Sequence, residues 1–177
     1  AALMGQNGAG KSTLFRLILG EFRPTEGRVS IDSDTSVAIA RQAVAREDLD
    51  ATIEEFFARC FAEKKWNLPA LISEALNIVH LPVPPLSRKL REFSGGQQAR
   101  LLLASALIRK PDILLLDEPT NNLDPEGIAH LTRFLAEYQK TCIVISHDAD
   151  FLNAFTNGVL YLDNFTKKIE QYSGDYN

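Results

Sequence analysis

The chain has 177 residues, a formal net charge of −4, and a composition that is 45% hydrophobic and 24% charged. This length fits one domain with a substantial core, and the composition is ordinary for a globular protein. The charge excludes a basic footprint over the whole chain, so it gives no argument for nucleic-acid binding, although a local basic patch is still compatible with it. No apolar run approaches the roughly 18 residues of a membrane-spanning helix, and no signal peptide is recognisable.

The chain contains two cysteines, Cys60 and Cys142, which are far apart and have no metal-ligand spacing. Cys142 lies in an apolar run, residues 141–145, and this favours packing in a core. Neither a disulfide framework nor a zinc site is indicated, so we expect a reducing, cytoplasmic location.

The first twenty residues predict a strand that leads directly into a loop and then a helix. Residues 3–4 have the character of the end of a buried strand, and residues 11–19 predict a helix that ends near Gly20. Alternating residues predict short strands at 28–32 and 37–40. Because a complete domain of this kind would have more sheet before the first strand, we interpret the chain as N-terminally truncated.

The loop between the first strand and helix, residues 5–12, reads G-Q-N-G-A-G-K-S and matches the pattern G-x-x-x-x-G-K-S, which Thr13 extends. Glycines let such a loop turn tightly, so that successive backbone N–H groups point at phosphate oxygens, and the helix adds its positive N-terminal dipole. Lys11 can reach the β- and γ-phosphates of a nucleotide, and the Ser12 hydroxyl suits Mg²⁺. The candidate phosphate ligands are Gly5, Asn7, Gly8, Ala9, Gly10, Lys11, Ser12 and Thr13.

Helical patterns follow in residues 50–92. Thr52 and Glu55 form a predicted capping box, and apolar residues recur at helical spacing at 53, 56, 57, 60 and 61 and again at 71, 72, 75, 76 and 79. Prolines 82, 84 and 85 then break the pattern. We interpret residues 50–92 as a small helical subdomain inserted into a core formed by residues 1–49 and 93–177. Its apolar stripe is either part of the core or a partner surface.

The remaining elements alternate between helix and strand. We predict helices at 94–109, 124–139 and 149–155, strands at 113–117 and 141–146, and a closing hairpin of residues 159–162 and 168–172. Asp124 followed by Pro125 is a strong helix start. This alternation predicts a mostly parallel sheet flanked by helices. Together with the phosphate loop at residues 5–12, it gives the expected fold class, an α/β P-loop NTPase.

Two carboxylates, Asp117 and Glu118, follow the apolar run at 113–116. Open α/β sheets bind ligands at the carboxyl ends of their strands. Neighbouring residues on a strand point to opposite sides, so the two groups can have different roles. We expect Asp117 to hold hydrated Mg²⁺ and Glu118 to act as the general base that polarises the attacking water.

The segment Ser94, Gly95, Gly96 and Gln97 resembles the signature motif of ATP-binding cassette (ABC) ATPases, and four or five motifs occur in that family's order over essentially the whole chain. Gln42 falls at the Q-loop position, residues 122–124 at the D-loop and His147 at the switch position. The resemblance implies that Gln42 is both catalytic and a magnesium ligand, and that His147 contacts the γ-phosphate.

The resemblance also implies that the site forms between two cassettes. Ser94 and its glycines precede a helix, so they offer a second anion-binding N-terminus. In the family, this signature closes in trans on the γ-phosphate held by the other cassette, which implies nucleotide contacts in trans for residues Ser94, Gly95, Gly96, Gln97 and Asp124. ATP joins the two cassettes and hydrolysis releases them.

Two further patterns resemble the ABC-F subfamily, whose members carry two cassettes on one chain and generally act on ribosomes. Residues 117–124 read D-E-P-T-N-N-L-D against D-E-P-T-N-H-L-D, and residues 146–152 read S-H-D-A-D-F-L against S-H-D-R-x-F-L. The tail at 169–176 is similar to the ABC-F end. The resemblance implies a ribosome and tRNA partner, reached through a linker that would begin where this chain stops.

Two alternatives remain open. The chain resembles the ATPase subunits of membrane transporters, which would stop near residue 177 and work with separate membrane subunits, whereas an ABC-F chain would continue into a helical linker and a second cassette. It is also compatible with a nucleotide-binding fragment that has little turnover of its own, because the family's adenine-stacking aromatic would precede residue 1.

Overall fold

The computed structural model describes residues 1–41, 43–163, 165–166 and 168–174. Within these ranges, the strands form one sheet in the order β2-β3-β4-β1-β5-β6. Their bounds are β1 Ala2–Met4, β2 Val37–Ala40, β3 Ile113–Asp117, β4 Thr141–Ile145, β5 Gly158–Leu162 and β6 Ile169–Ser173. All neighbouring pairs are parallel except the antiparallel hairpin of β5 and β6. The predicted mostly parallel sheet is confirmed.

The centre of the sheet is buried on both faces. Leu114, Leu115 and Leu116 of β3 are fully buried, as expected for a parallel strand covered by helices on either side. The register pairs Leu116 with Val144 and Asp117 with Ile145. The carboxyl ends of β3 and β4 therefore lie side by side at one edge of the sheet.

The α-helices of the described ranges are α1 Lys11–Ile18, α2 Ile53–Ala58, α3 Leu68–Ile78, α4 Gly95–Leu107, α5 Pro125–Glu137 and α6 Ala149–Asn153. Single 3₁₀ turns occur at Arg46–Asp48 and Leu90–Glu92. None of the helices in these ranges combines the length and the apolar character that crossing a membrane requires.

Side chains cap the N-termini of four helices, and this explains why those helices begin where they do. Thr52 and Ser94 form capping boxes at α2 and α4, while Asp124 and Asp148 accept backbone N–H groups at α5 and α6. The predicted box at Thr52 and Glu55 and the predicted cap at Asp124 are both confirmed. The N-cap of α1, Gly10, has no side chain with which to cap its helix.

Helices cover both faces of the sheet. On one face, Phe15 of α1 packs against Leu3, Leu115 and Ile145. On the other, α4 joins a larger apolar cluster that includes Leu114 and Leu116. Buried residues of the 50–92 segment, such as Phe57 and Ile72, belong to that same cluster. Core packing therefore accounts for most of the apolar stripe, while the bounds of an inserted subdomain remain a prediction.

Two local predictions were wrong. Residues 28–32 are all described and form no strand; Val29 is 45% exposed. The alternating pair Val29 and Ile31 does not suffice to form a strand, because a strand also needs a neighbouring strand that pairs with its backbone N–H and C=O groups. The helix predicted from the 53–61 pattern is also shorter than that pattern, since α2 ends at Ala58 and Phe61 packs from a turn.

Candidate functional site

The loop after β1 turns sharply beneath β5. Gly5 has a φ of 150°, and a Cβ at that position would lie 2.6 Å from the backbone oxygen of Leu162. Gly10, with a φ of 98°, starts α1 in a left-handed conformation that a side chain would disfavour. Only glycine meets both demands, which explains the first and last glycines of the 5–10 loop.

The start of α1 is a cationic, donor-rich end. The first N–H groups of a helix have no partner within that helix, and the N-cap residue of α1, Gly10, has no side chain to offer them. The Lys11 Nζ atom donates to the backbone oxygens of Gly5 and Gln6 at 2.7 and 3.2 Å, which folds the ammonium back over the loop. N–H groups without an intrahelical partner, a helix dipole and an ammonium group together form a site that suits a phosphate chain.

A hydroxyl oxygen of α1 and a carboxylate oxygen of β3 lie close together at the carboxyl end of the sheet. The Ser12 Oγ atom donates a hydrogen bond to Oδ2 of Asp117 at 3.0 Å, although the residues are 105 positions apart in the chain. A hydroxyl and a carboxylate are hard oxygen ligands of the type that Mg²⁺ prefers. No group of three His, Cys, Asp or Glu side chains in the described part of the chain could hold a metal alone. A pair of such ligands suits a Mg²⁺ ion that is also bound by phosphate oxygens and water.

Glu118 differs from Asp117 in conformation and in partner. It lies just beyond β3 with a φ of 49°, a rare conformation for a non-glycine residue, and its N–H donates to the Ile145 oxygen at 2.8 Å. Its Oε1 atom lies 3.2 Å from Nε2 of His147, which follows β4. Strain of this kind is often retained where a side chain must be aimed. The sequence argument placed the two carboxylates on opposite sides of a strand, but Glu118 lies beyond β3 and both residues line the same cavity. Their separate roles remain a prediction.

These groups line one cavity of about 880 Å³. Of the predicted site residues, its lining includes Asn7, Gly8, Gly10, Lys11, Ser12, Thr13, Asp117, Glu118 and His147. It also contains four residues to which the sequence reasoning assigned no role, namely Thr120, Asn121, Ile145 and Asp148. Their positions in the sequence could have indicated them, because each lies within four residues of Asp117, Glu118 or His147.

Other predicted residues lie elsewhere. Gly5 and Ala9 belong to the loop but not to the cavity lining, and Gln42 lies outside the described residues. The tail pattern also extends beyond the described residues, at 175 and 176.

The signature segment, residues 94–97, does not line this cavity. Ser94 and Gln97 bond each other's backbone in the capping box, and added Cβ atoms at Gly95 and Gly96 would meet nothing within 4 Å. Among the residues that the structure describes, nothing crowds these two glycines, which lie at the start of α4.

Asp124 is engaged within its own chain. Its Oδ1 atom accepts the N–H of Gly127 at 2.9 Å and lies 3.4 Å from Nη2 of Arg100. The Gly127 N–H lowers the pKa of Asp124 most, and the charge of Arg100 acts in the same direction. These contacts are all within one chain. The expected contact of Asp124 with nucleotide held by a second cassette remains a prediction.

Comparisons with known proteins agree with this geometry. Residues 1–121 match the family described as "ABC transporter". The chain is 32% identical over 202 residues to the probable ATP-binding protein YheS of Haemophilus influenzae, covering 98% of the chain and 31% of that protein. It is 35% identical over 178 residues to ABC transporter F family member 5 of Arabidopsis thaliana, covering 99% of the chain and 25% of that protein.

Transport-related proteins are similar as well. The chain is 34% identical over 167 residues to the zinc import ATP-binding protein ZnuC of Buchnera aphidicola, covering 92% of the chain and 68% of that protein. A dimeric bacterial ABC transporter cassette superposes with a TM-score of 0.79 at 26% identity, covering 97% of this chain and 84% of that one. The cavity, the sheet order and these matches place the chain in the ABC transporter family, as one of its ATPase domains.

Proposed function

We propose that this cassette binds ATP with Mg²⁺ and hydrolyses it together with a second cassette. One observation carries the proposal: a single cavity gathers Lys11, Ser12, Asp117, Glu118 and His147 from three separate parts of the chain. The chain spans 31%, 41% and 25% of the length of three similar proteins, so the activity and partners of a whole protein are part of the proposal.

Each group has a role that its position supports. Lys11 and the N–H groups of α1 bind the phosphates. Ser12 and Asp117 would hold Mg²⁺, which, when bound, offsets negative charge on the β- and γ-phosphate oxygens. Glu118 accepts a proton from the attacking water, and His147, 3.2 Å away, orients that carboxylate and contacts the γ-phosphate. A catalytic and metal-binding role for Gln42 is carried over from the family resemblance.

The second cassette supplies what one chain lacks at this cavity. The exposed Ser94 and its two glycines begin α4 and lie outside the lining of the cavity. Facing a second copy, this N-terminus would complete the γ-phosphate site in trans, together with Gln97 and Asp124. The dimeric cassette of similar fold supports such an arrangement.

We further propose that the switch acts on the ribosome in translation, as in the ABC-F subfamily, with tRNA contacts made by an interdomain linker, and that the protein is cytoplasmic. The similarity to an F family member over 99% of the chain and the run at 117–124 support this assignment. The competing function is an ATPase subunit of a membrane transporter, which the match to the zinc import protein over 68% of that protein favours.

Co-sedimentation with ribosomes separates the two functions. The full natural protein carrying Glu118→Gln should co-sediment with ribosomes in ATP but not in ADP, because blocked hydrolysis would hold the ATP-bound state. The control is Glu137→Gln, which changes an exposed carboxylate on α5. Tight ATP binding without ribosome association would preserve the ATPase proposal and reject the ribosomal one.

A further inference from the structure

Arg100 is held in one place by contacts to two other segments of the chain. It lies in α4, the helix that begins at Ser94, and its side chain is only 16% exposed. Its Nη1 donates to the backbone oxygen of His80 at 2.8 Å, its Nε donates to the backbone oxygen of Asn122 at 3.4 Å, and its Nη2 lies 3.4 Å from the Asp124 carboxylate. An arginine so enclosed and so fully used has a fixed conformation.

The His80 end of this arrangement is the hydrogen-bonded C-terminus of α3. α3 ends in a Schellman motif, in which the N–H of His80 bonds the oxygen of Asn77 at 3.1 Å and the N–H of Leu81 bonds that of Leu76 at 3.0 Å. His80 has a φ of 52°, where glycine is usual. This left-handed residue at the end of α3 sets the position of the carbonyl that Arg100 binds.

The other end is the segment between Glu118 and α5. The backbone N–H of Asn121 donates to the backbone oxygen of Glu118 at 3.3 Å, and the backbone N–H of Leu123 donates to that of Thr120 at 3.1 Å. Asp124 then caps α5 through Gly127. Arg100 binds the last part of this segment, and it also lines a smaller cavity of about 300 Å³ that reaches Asp117 and Glu118.

Only arginine meets this geometry. Its planar guanidinium offers five donors in a fixed fork, so it can bind two backbone oxygens and a carboxylate at once. Lysine would keep the charge but would present a single nitrogen on a flexible stem. The family resemblance places residues 122–124 at the D-loop, and this position gives no reason to expect the contact with Arg100.

We infer that Arg100 is a positioning residue: it ties the Asn122–Asp124 segment to α4 and to the end of α3, so that the helix bearing the signature and the segment after Glu118 move as one unit. The effect of Arg100 on the reaction rate rests on the proposed ATPase function, whereas the structural tie does not. Arg100 acts through its neighbours and touches no reacting group.

Hydrogen exchange on the full natural protein without nucleotide tests the tie directly. Arg100→Lys should make the amides of Asn121 and Leu123 exchange about tenfold faster, because a retained charge cannot replace the fork. Amides of β3 and β4 should be unchanged. The matched control, Arg133→Lys, alters an exposed arginine on α5 and should leave all of these amides as they are. Unchanged exchange at residues 121–123, or an equal rise over the whole chain, would overturn the inference.

Kinetics test the consequence for the reaction. Arg100→Lys should lower kcat about tenfold while the ATP dissociation constant stays within about twofold, since positioning and not binding is lost. Combining Arg100→Met with Asp124→Asn should cost less than the sum of the two single losses, because the two side chains share one contact. Additive losses would contradict the inference. If the wild-type protein hydrolyses no ATP, the proposed function fails, and the exchange experiment still decides the role of Arg100.

Discussion

Nε2 of His147 lies 3.2 Å from Oε1 of Glu118, which joins the residue just beyond β3 to the residue that follows the end of β4. The two differ sharply in exposure, at 14% for the Glu118 side chain and 69% for that of His147. The carboxylate is therefore sheltered, while the imidazole is open to whatever enters the cavity. This asymmetry suits a base that must be aimed and a partner that can also meet the substrate.

Replacement of Glu118 by glutamine should separate binding from hydrolysis. Glutamine keeps the shape of the side chain but cannot accept the proton of water, so kcat should fall by about a hundredfold or more while ATP affinity is retained. Phosphate release and nucleotide binding, measured on the same preparation of full natural protein, check this. Glu137→Gln on the surface of α5 serves as the control, and wild-type turnover by the Glu118 variant would remove Glu118 from the role of base.

Replacement of Lys11 by alanine should act on binding instead. The ammonium lies over the loop at 2.7 Å from the Gly5 oxygen, where it can turn to the phosphates. Its loss should weaken ATP affinity at least about tenfold, the value of one charge-assisted hydrogen bond. Titration with a fluorescent ATP analogue measures the affinity, and Lys64→Ala changes an exposed lysine for comparison. Equal affinity of the Lys11 variant and the wild type would argue against the phosphate site.

The packing of the 50–92 segment predicts a large stability effect. Phe57 is fully buried in the main apolar cluster, whereas Phe165 is 86% exposed. Phe57→Ala should lower the free energy of unfolding by about 3–5 kcal/mol, since it removes buried area and leaves a cavity. Phe165→Ala should change it by less than about 0.5 kcal/mol. Urea unfolding followed by circular dichroism compares them, and similar values for both would show that Phe57 is not part of the cooperative core.

The contact between the starts of β2 and β3 should make stability depend on acidity. The pKa of Asp112 is lowered well below its usual range, first by the Ser36 hydroxyl and N–H, at 2.7 and 2.9 Å, and then by Lys140. Because the folded-state pKa is depressed, this stabilisation is present above the unfolded pKa of about 3.9 and is lost as pH falls through the folded value.

Ser36→Ala tests this dependence. The variant should have a lower Tm than the wild type at neutral pH, and the difference should shrink progressively as pH falls below about 4. Ser30→Ala, at an exposed position, provides the comparison. A difference in Tm that stays constant from about pH 7 to about pH 2.5 would mean that the Asp112 carboxylate is not the source.

Both thiols should be unreactive in the folded protein. Burial raises the pKa of Cys60 to about 11 and that of Cys142 to about 12. The thiolate is the nucleophile, so alkylation by iodoacetamide at about pH 8 should be roughly a hundredfold slower than in urea-unfolded protein. Mass spectrometry at timed intervals measures each site. Rapid labelling of Cys60 in folded protein would show that the turn after α2 opens readily.

The sequence by itself determined the phosphate loop, the acidic strand end and most elements, because these depend on local signals. Glycines at 5, 8 and 10, the capping pair Thr52 and Glu55, and the apolar run before Asp117 act over a few residues, and the alternation of helix and strand predicts a parallel sheet. The strand predicted from alternation at residues 28–32 does not form, because a strand needs a neighbouring strand, and a local pattern does not supply one.

Only the tertiary structure decided which distant residues meet. Ser12 reaches Asp117 because β1 and β3 lie on either side of β4 with their carboxyl ends at one edge, and no local pattern states the strand order. Similarly, Arg100 joins His80, Asn122 and Asp124 because helix packing brings three chain segments together. Contacts of this kind depend on the packing of the whole chain, so they become visible only once the fold is known.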